Sequence, residues 1–357
     1  MAKPKPPIDL RPKVINYQGY KAVRHFIKKK EIARSSEYWV YQLLKKTDVI
    51  AVTGHSAIIR VENGKLAIKN GFTMKEQNPE YAAYPRGAND INYLVVDTSS
   101  GSGYITFDAI QWCDSQNIGV IIRGYDPLLI HRPVKPATDL RRRQYLAEPL
   151  KVAKWILREK FKCMLKNFPL LPMRDSIKEC IDGIGLNTET INELRLIEGR
   201  TAVMYWRYQS FELNHFAKWP AWWETFDQRT SNFGGNKNAT HPINAIFNYS
   251  YSIAAGMIKR HSIILGLDTA LGSLHADTDR RDSLIYDLLE LVRADIDRML
   301  LPWLRVTKWR RTDFQVNVKG VVSLEPTLAR VVIQKTAPID SAVKKAVKRY
   351  VLFILKL

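Results

Sequence analysis

The chain has 357 residues, 46% of them hydrophobic, so it can bury a core of ordinary globular size, and its length suggests two domains. It carries 55 Lys and Arg against 35 Asp and Glu, a net charge of +20, which favours a nucleic-acid partner over a merely solvated basic surface. Three cysteines without CxxC spacing argue against a disulfide scaffold or a zinc site. No apolar run reaches the roughly 18 to 20 residues of a membrane span, so we expect a cytoplasmic protein with no membrane partner.

Residues 1–48 are predicted to be a basic N-terminal extension that is partly helical. The first 45 residues hold eleven Lys or Arg and three acidic residues, a net charge of +8. The opening PKPPIDLRP is typical of a disordered arm, and the segment after it has the pattern of amphipathic helices with a basic face. Contact with a DNA backbone and an ordinary solvated face both fit these lysines.

Residues 49–132 have the pattern of a β-rich domain. Several β-branched runs follow one another here, and between two of them Asn63 and Gly64 favour the positive φ of a tight hairpin turn. INYLVVD and the runs after it predict further strands, with a short helix around Phe107 to Cys113.

Residues 133–145 form a predicted linker, marked by two prolines and three consecutive arginines. From residue 146 to residue 357 the hydrophobic periodicity is helical almost throughout. We therefore predict an α+β fold in which an N-terminal β-rich domain precedes a larger all-helical catalytic domain.

The segment LGSLHADTDRRDSLIYDLLE, residues 271–290, collects acidic side chains around one histidine in an otherwise basic chain. On a helix that begins near Ser283, Asp287 and Glu290 project from one face because they are three residues apart. His275 precedes Asp287 by twelve residues, and a loop of that length can return the imidazole to the carboxylates.

A further carboxylate, Glu198, lies beside the apolar stripe of another predicted helix, which begins with the capping-box pattern of Thr190 and Glu193. Two carboxylates and one imidazole suit a hard divalent cation, Mg²⁺ or Mn²⁺, which would polarise a phosphodiester. From the residues alone two interpretations stay open. One is a metal site, and the other is a hydrogen-bonded histidine beside carboxylates that pair with Arg281 or Arg293.

Three phrases resemble the CRISPR-associated integrase family, the metal-dependent endonucleases that insert spacers into CRISPR arrays. They are LRLIEGRTAVMYW, the run from HPINAIFNYSY to LVRADID, and DFQVNVKGVVSL. The resemblance covers about residues 49 to 330. It implies a β-domain followed by a helical catalytic domain, a stable homodimer, a Mg²⁺ or Mn²⁺ cofactor, double-stranded DNA with free 3′-OH ends, and a small second adaptation subunit as a further partner.

The resemblance also implies which residues bind the metal ion. Its ligands fall on Glu198 in the IEG motif, His275 in the LGxLH motif and Glu290 after YDLL, while Asp287 matches a supporting acidic position. The chemistry implied is a transesterification in which a DNA 3′-OH attacks a target phosphodiester.

Contacts to DNA are predicted for arginines that flank the ligands and for polar residues of the motif that contains PINAIFNYSY. These are Arg195, Arg200, Arg280, Arg281, Asn244, Asn248 and Tyr251. The two asparagines match a motif that we expect to brace the active site. Tyr251 matches a position near the reacting DNA end, with an aromatic core residue as the alternative.

Two features depart from the common family pattern: the N-terminal extension and the long segment 214–240 with Trp219, Trp222 and Trp223. The expansion resembles the transposases of casposons and leaves open whether the second subunit is needed. The tryptophans suit either base stacking or a core, and we favour a core. The predicted function is a metal-dependent DNA endonuclease and integrase, with a casposon-type transposase and a non-catalytic DNA-binding protein as alternatives.

Overall fold

The computed structural model describes residues 48–77, 79, 81–87, 89–97, 103–116, 118–123, 128–130, 138–167, 171–186, 188–216, 220, 223, 226, 238–275 and 281–357. Residues 1–47, which make up nearly all of the predicted basic extension, therefore lie outside the described residues. So do Arg280, Trp219 and Trp222. No helix in the described ranges is both long enough and apolar enough to cross a bilayer.

The strands of the N-terminal part form two four-stranded sheets. They are β1 (Asp48–Val52), β2 (Ala57–Glu62), β3 (Lys65–Lys69), β4 (Tyr81–Tyr84), β5 (Ile91–Asp97), β6 (Gly103–Ile105), β7 (Gly119–Arg123) and β8 (Leu128–Ile130). One sheet has the order β1-β5-β7-β8, with the first three strands parallel and β8 antiparallel. The other has the order β4-β3-β2-β6.

The predicted hairpin is confirmed between β2 and β3. Glu62 pairs with Lys65 at the end of the ladder, and Asn63 and Gly64 form the turn with φ of 50° and 74°. Positive φ at both central residues matches the right-handed twist of the flanking strands.

Helices make up most of the remaining described chain, and the predicted α+β fold is confirmed. Helix α1 (Phe107–Ser115) precedes β7, and the later helices are α2 (Thr138–Leu146), α3 (Pro149–Leu165), α4 (Leu171–Leu186), α5 (Ile191–Phe216), α6 (Pro242–Ile264), α7 (Ser283–Leu289), α8 (Arg293–Val306), α9 (Pro326–Thr336) and α10 (Asp340–Ile354). A two-stranded antiparallel sheet, β9 (Phe314–Val316) and β10 (Val322–Leu324), adds to the helices of this half.

The parallel sheet is buried on both faces, which explains the nearly continuous apolar run of β5. Tyr93 and Val95 face the helices and join the large core, whereas Leu94 faces the second sheet and α1 and joins a smaller core. Helix α6 lies against β7 closely enough that a Cβ on Gly256 would meet the side chain of Ile121 at 2.6 Å. The β-rich part is thus one layer of the same packed body as the helices.

A buried polar cluster joins the sheet to α6 and to the C-terminal helix α10. Arg260 donates to Asn92 at 2.6 Å, and the Nε2 atom of His261 lies 2.7 Å from Asp340. The Tyr93 hydroxyl donates to the same carboxylate at 3.1 Å. Burial alone would raise the pKa of Asp340, but His261 and then Lys344 outweigh it and hold that pKa below its ordinary range.

We predict that Asp340→Asn lowers the free energy of unfolding by about 3 kcal/mol at pH 7. The substitution leaves the groups around the carboxylate, among them Lys344, without their buried negative partner. Urea unfolding measures the change. The folded pKa of Asp340 is depressed, so its contribution is complete above the unfolded pKa of about 3.9 and is lost as the pH falls through the lower folded value. The difference between the variant and the wild type should therefore shrink on acidification.

The control for this prediction is Lys345→Ala, at an exposed position on the same helix. It should change stability by no more than about 0.5 kcal/mol. Equal stability of the wild type and Asp340→Asn at pH 7 would show that the cluster does not stabilise the fold.

Candidate active site

One buried ammonium joins two of the predicted metal ligands. Lys160 projects from α3, and its Nζ atom donates to Glu198 Oε1 on α5 at 2.5 Å and lies 2.7 Å from Glu290 Oε2 just after α7. The lysine side chain is 9% exposed, compared with 23% for Glu198 and 4% for Glu290. Two carboxylates that are far apart in sequence therefore meet at one nitrogen atom, and the more exposed of them faces solvent.

Glu290 lies between two cations. Its Oε1 atom accepts from Arg293, the first residue of α8, at 2.6 Å, while Oε2 faces Lys160. Burial alone would raise the pKa of Glu290, but Arg293, then Lys160 and His275, outweigh it and lower the pKa to about 2. Conversely, burial would lower the pKa of Lys160, and the two glutamates raise it above its ordinary value. Glu290, Lys160 and Arg293 are therefore all charged at neutral pH.

The loop before α7 returns His275 to the predicted carboxylate face. The Nδ1 atom of His275 lies 2.7 Å from Asp287 Oδ1, and the backbone N–H groups of Ser273, Leu274 and His275 all donate to the same carboxylate. Asp287 is fully buried and accepts four hydrogen bonds, so its oxygens are saturated by the loop. Asp287 fixes the orientation of the imidazole through Nδ1, and the other ring nitrogen, Nε2, makes no contact with this carboxylate. A carboxylate behind a metal-binding histidine has the same arrangement.

The arginines predicted to contact DNA occupy different environments. Arg195 donates to the carbonyl oxygen of Leu274 at 3.0 Å, so it ties α5 to the histidine loop. The guanidinium of Arg281 lies over the ring of Tyr286, with its Cζ atom 4.2 Å from the ring centroid. Arg200 is exposed on α5.

The motif residues on α6 lie behind the site. Asn244 is 3% exposed, and Asn248 is partly buried. The hydroxyl of Tyr251 donates to Asp297 in the core, and the Arg293 guanidinium lies 4.7 Å from the centroid of its ring. Tyr251 therefore supports the cation that holds Glu290, which favours the core interpretation of this tyrosine.

The one tryptophan of the long insert within the described residues is a core residue. Trp223 is 8% exposed, and its ring packs against Trp309, Phe314 and His241. These contacts place Trp223 against Phe314 of β9. They favour the core interpretation for Trp223.

The donor atoms suit a hard divalent cation in their chemistry. Glu290 Oε2 is buried and makes no aligned hydrogen bond in spite of its close ion pair with Lys160, and no described group hydrogen-bonds to His275 Nε2. Within the described ranges, however, no three His, Cys, Asp or Glu side chains form a group able to hold a metal ion. The glutamates are instead paired with cations of the chain itself.

Lys160 is the site residue that the sequence analysis missed. Helix α3 buries Ile156, Leu157, Phe161 and Met164, and Lys160 falls on the same stripe at helical spacing. A lysine on the apolar side of an amphipathic helix is rarely buried without a partner. Its position was therefore a signal for a buried carboxylate, although the sequence did not indicate which one.

The sequence profile of the family described as CRISPR associated protein Cas1 matches residues 50–337. The CRISPR-associated endonuclease Cas1 1 of Archaeoglobus fulgidus is 25% identical over 71% of this chain and 76% of its own length. Among solved structures, a casposase bound to integration product has a TM-score of 0.73 at 21% identity and covers 87% of this chain and 91% of its own. A Cas1 protein from Thermotoga maritima has a TM-score of 0.67 at 14% identity, with 86% and 97% covered. The chain belongs to the Cas1 family.

We predict that Asp287→Asn loosens the loop that carries His275. In the wild type, the N–H donors of the loop face the two oxygens of a carboxylate. In the variant, one of these oxygens is replaced by an N–H₂ group, which cannot accept, and hydrogen bonds to a charged acceptor, each worth about 1.5–3 kcal/mol, are lost. The backbone amides of Ser273, Leu274 and His275 should exchange with deuterium at least about tenfold faster, because a loss of 1.4 kcal/mol is a factor of ten.

Asp295→Asn is the control for loop exchange, since Asp295 lies on α8 and pairs with Arg298. It should leave the exchange of the loop amides unchanged. If the loop amides of Asp287→Asn remain as protected as in the wild type, Asp287 does not hold the loop.

Proposed function

We propose that this chain is a divalent-metal-dependent DNA endonuclease and integrase that joins a DNA 3′-OH end to a target phosphodiester. Membership of the Cas1 family supports the class of reaction. The observation that carries the assignment of the site is the meeting of Glu198 and Glu290 at one cation, beside an imidazole oriented by Asp287. Mg²⁺ or Mn²⁺ is the proposed cofactor.

The residues in this proposal have distinct roles. Glu198, Glu290 and His275 Nε2 would hold the ion, and Asp287 would keep the imidazole in the ligating tautomer. A bound divalent ion neutralises charge that develops on the phosphodiester oxygens. In the reaction the 3′-oxygen of the donor forms a new bond to phosphorus, the target 3′-oxygen leaves with the electron pair of the broken P–O bond, and the proton of the attacking hydroxyl is released.

The proposed partner in the reaction is double-stranded DNA with free 3′-OH ends. The net charge of +20 supports binding to its phosphates, with Arg200, two residues after Glu198 on α5, as an exposed candidate. A homodimer and a small second adaptation subunit remain predictions. Exposed apolar side chains of the β-rich part, among them Phe107 at 88% exposure and Met74 at 81%, support a protein contact there.

A casposon-type transposase is the second candidate, because it uses the same chemistry on a different donor. The fold shared with a casposase supports keeping it, as does the long insert that contains Trp223. Donor DNA with terminal inverted repeats, compared with spacer-length DNA and a CRISPR repeat target, distinguishes the two roles by the sequences of the joined products.

We predict that the purified protein joins a 3′-OH oligonucleotide to supercoiled plasmid with Mg²⁺ or Mn²⁺ and not in EDTA. Glu198→Gln, His275→Asn and Glu290→Gln should each lower the rate by more than about 100-fold, because loss of an outer partner of a metal ligand already costs 10–100-fold. Gel analysis and sequencing of the junctions measure the products.

The control for strand transfer is Glu179→Gln on the exposed face of α4, which should retain full activity. DNA binding that is sensitive to salt and indifferent to EDTA, without strand transfer in any metal, would instead support a non-catalytic DNA-binding protein. Equal activity of the wild type and Glu198→Gln would contradict the proposed site.

We further predict that Arg200→Gln weakens DNA binding about equally for all sequences. Loss of one phosphate contact lowers the slope of log affinity against log salt concentration by about 1. Titrations by fluorescence anisotropy at several salt concentrations measure this slope, and an unchanged slope removes Arg200 from the interface.

A further inference from the structure

Lys160 takes a place that the proposed function requires for a metal ion. Both glutamate ligands direct a carboxylate oxygen at its ammonium, at 2.5 and 2.7 Å. Ammonium and a divalent ion cannot both lie within contact distance of the same two oxygens, since they repel each other in a site shielded from water.

We propose that Lys160 is an internal counter-ion that competes with the divalent cation, so that metal entry requires its ammonium to release Glu198. This inference rests on the proposed function and names a residue outside the family-derived ligand set. Glu198 is the carboxylate from which the ammonium withdraws, because Glu198 is the more exposed of the two and solvent already reaches it. The flexible four-carbon stem of lysine allows the withdrawal without movement of α3.

The charge balance of the site adds a consequence for DNA. Glu198 and Glu290 are offset by Lys160 and Arg293, so the four groups sum to zero before a metal ion arrives. A divalent ion brings an excess of two positive charges, and an incoming phosphodiester with its one negative charge offsets half of that excess. The competition therefore keeps metal affinity low in the free protein and makes metal and DNA bind cooperatively, with the same coupling seen from either side.

The alternative is that Lys160 braces the two carboxylates and remains in place when metal binds. The two interpretations predict opposite effects of removing the charge. A competitor weakens metal binding in the wild type, so its loss strengthens binding. A brace organises the ligands, so its loss weakens binding.

The experiment compares Mn²⁺ binding to full-length wild type, Lys160→Met and Lys162→Met, measured as free Mn²⁺ by electron paramagnetic resonance without DNA. Methionine has a similar unbranched shape without the charge. Lys162 lies two residues away and is exposed, pairing with Glu159 at 2.9 Å, so it is the matched control.

Lys160→Met should bind Mn²⁺ at least about tenfold more tightly, on the scale of coupling between close charges, and Lys162→Met should match the wild type. Added duplex DNA should raise the Mn²⁺ affinity of the wild type more than that of Lys160→Met.

A second measurement uses the wild type alone and does not depend on how well the variant folds. Acetylation of lysines with an activated ester, read by mass spectrometry, should proceed at Lys160 several-fold faster in saturating Mn²⁺ than in EDTA, because a free amine reacts and a paired, buried one is protected. Lys162 should react at the same rate in both conditions.

Unchanged or weaker Mn²⁺ binding by Lys160→Met, or equal acetylation of Lys160 with and without Mn²⁺, overturns the counter-ion proposal and leaves the proposed function standing. Absence of Mn²⁺ binding to the wild type, with and without DNA, overturns the proposed function together with this inference.

Discussion

The ion pairs of Lys160 with two glutamates connect three helices that are distant in the chain. A buried carboxylate is costly without a cation, and a buried ammonium is costly without a carboxylate, so each side of the contact requires the other. Because Lys160 lies on α3, Glu198 on α5 and Glu290 after α7, the contact fixes where these helices meet. Arg293 completes the balance from the start of α8.

The rest of the fold supports this contact from behind. The parallel sheet packs against α6, and α6 contributes Tyr251 beneath the guanidinium of Arg293. Asp297 accepts the hydroxyls of both Tyr251 and Tyr205, which joins α6 to α5 and α8. These contacts connect α6 to Arg293, the cation that holds Glu290. The position of the Glu290 carboxylate therefore depends on how α5, α6 and α8 pack against one another.

Local patterns in the sequence predicted the hairpin at Asn63 and Gly64, the α+β fold, and the return of His275 to the carboxylate beside it, because each depends on residues near one another in the chain. The capping box of α5 is present as predicted, with Thr190 and Glu193 hydrogen-bonded to each other. The sequence predicted one helix beyond Ser283, whereas α7 ends at Leu289 and α8 begins at Arg293, with no glycine or proline to signal the break. Lys160 was missed because its partners lie 38 and 130 residues away, and spacing carries no information about such contacts.

The acidic side chains at the site do not oppose the basic character of the chain. A pair of unbalanced carboxylates would repel a phosphate backbone and lower the positive potential of a chain with net charge +20. Lys160 and Arg293 cancel both charges, and backbone N–H groups together with His275 surround the third carboxylate, Asp287. The side-chain charges around these carboxylates therefore nearly cancel. Under the proposed function, the same carboxylates can then serve as metal ligands without a standing repulsion of a phosphate backbone.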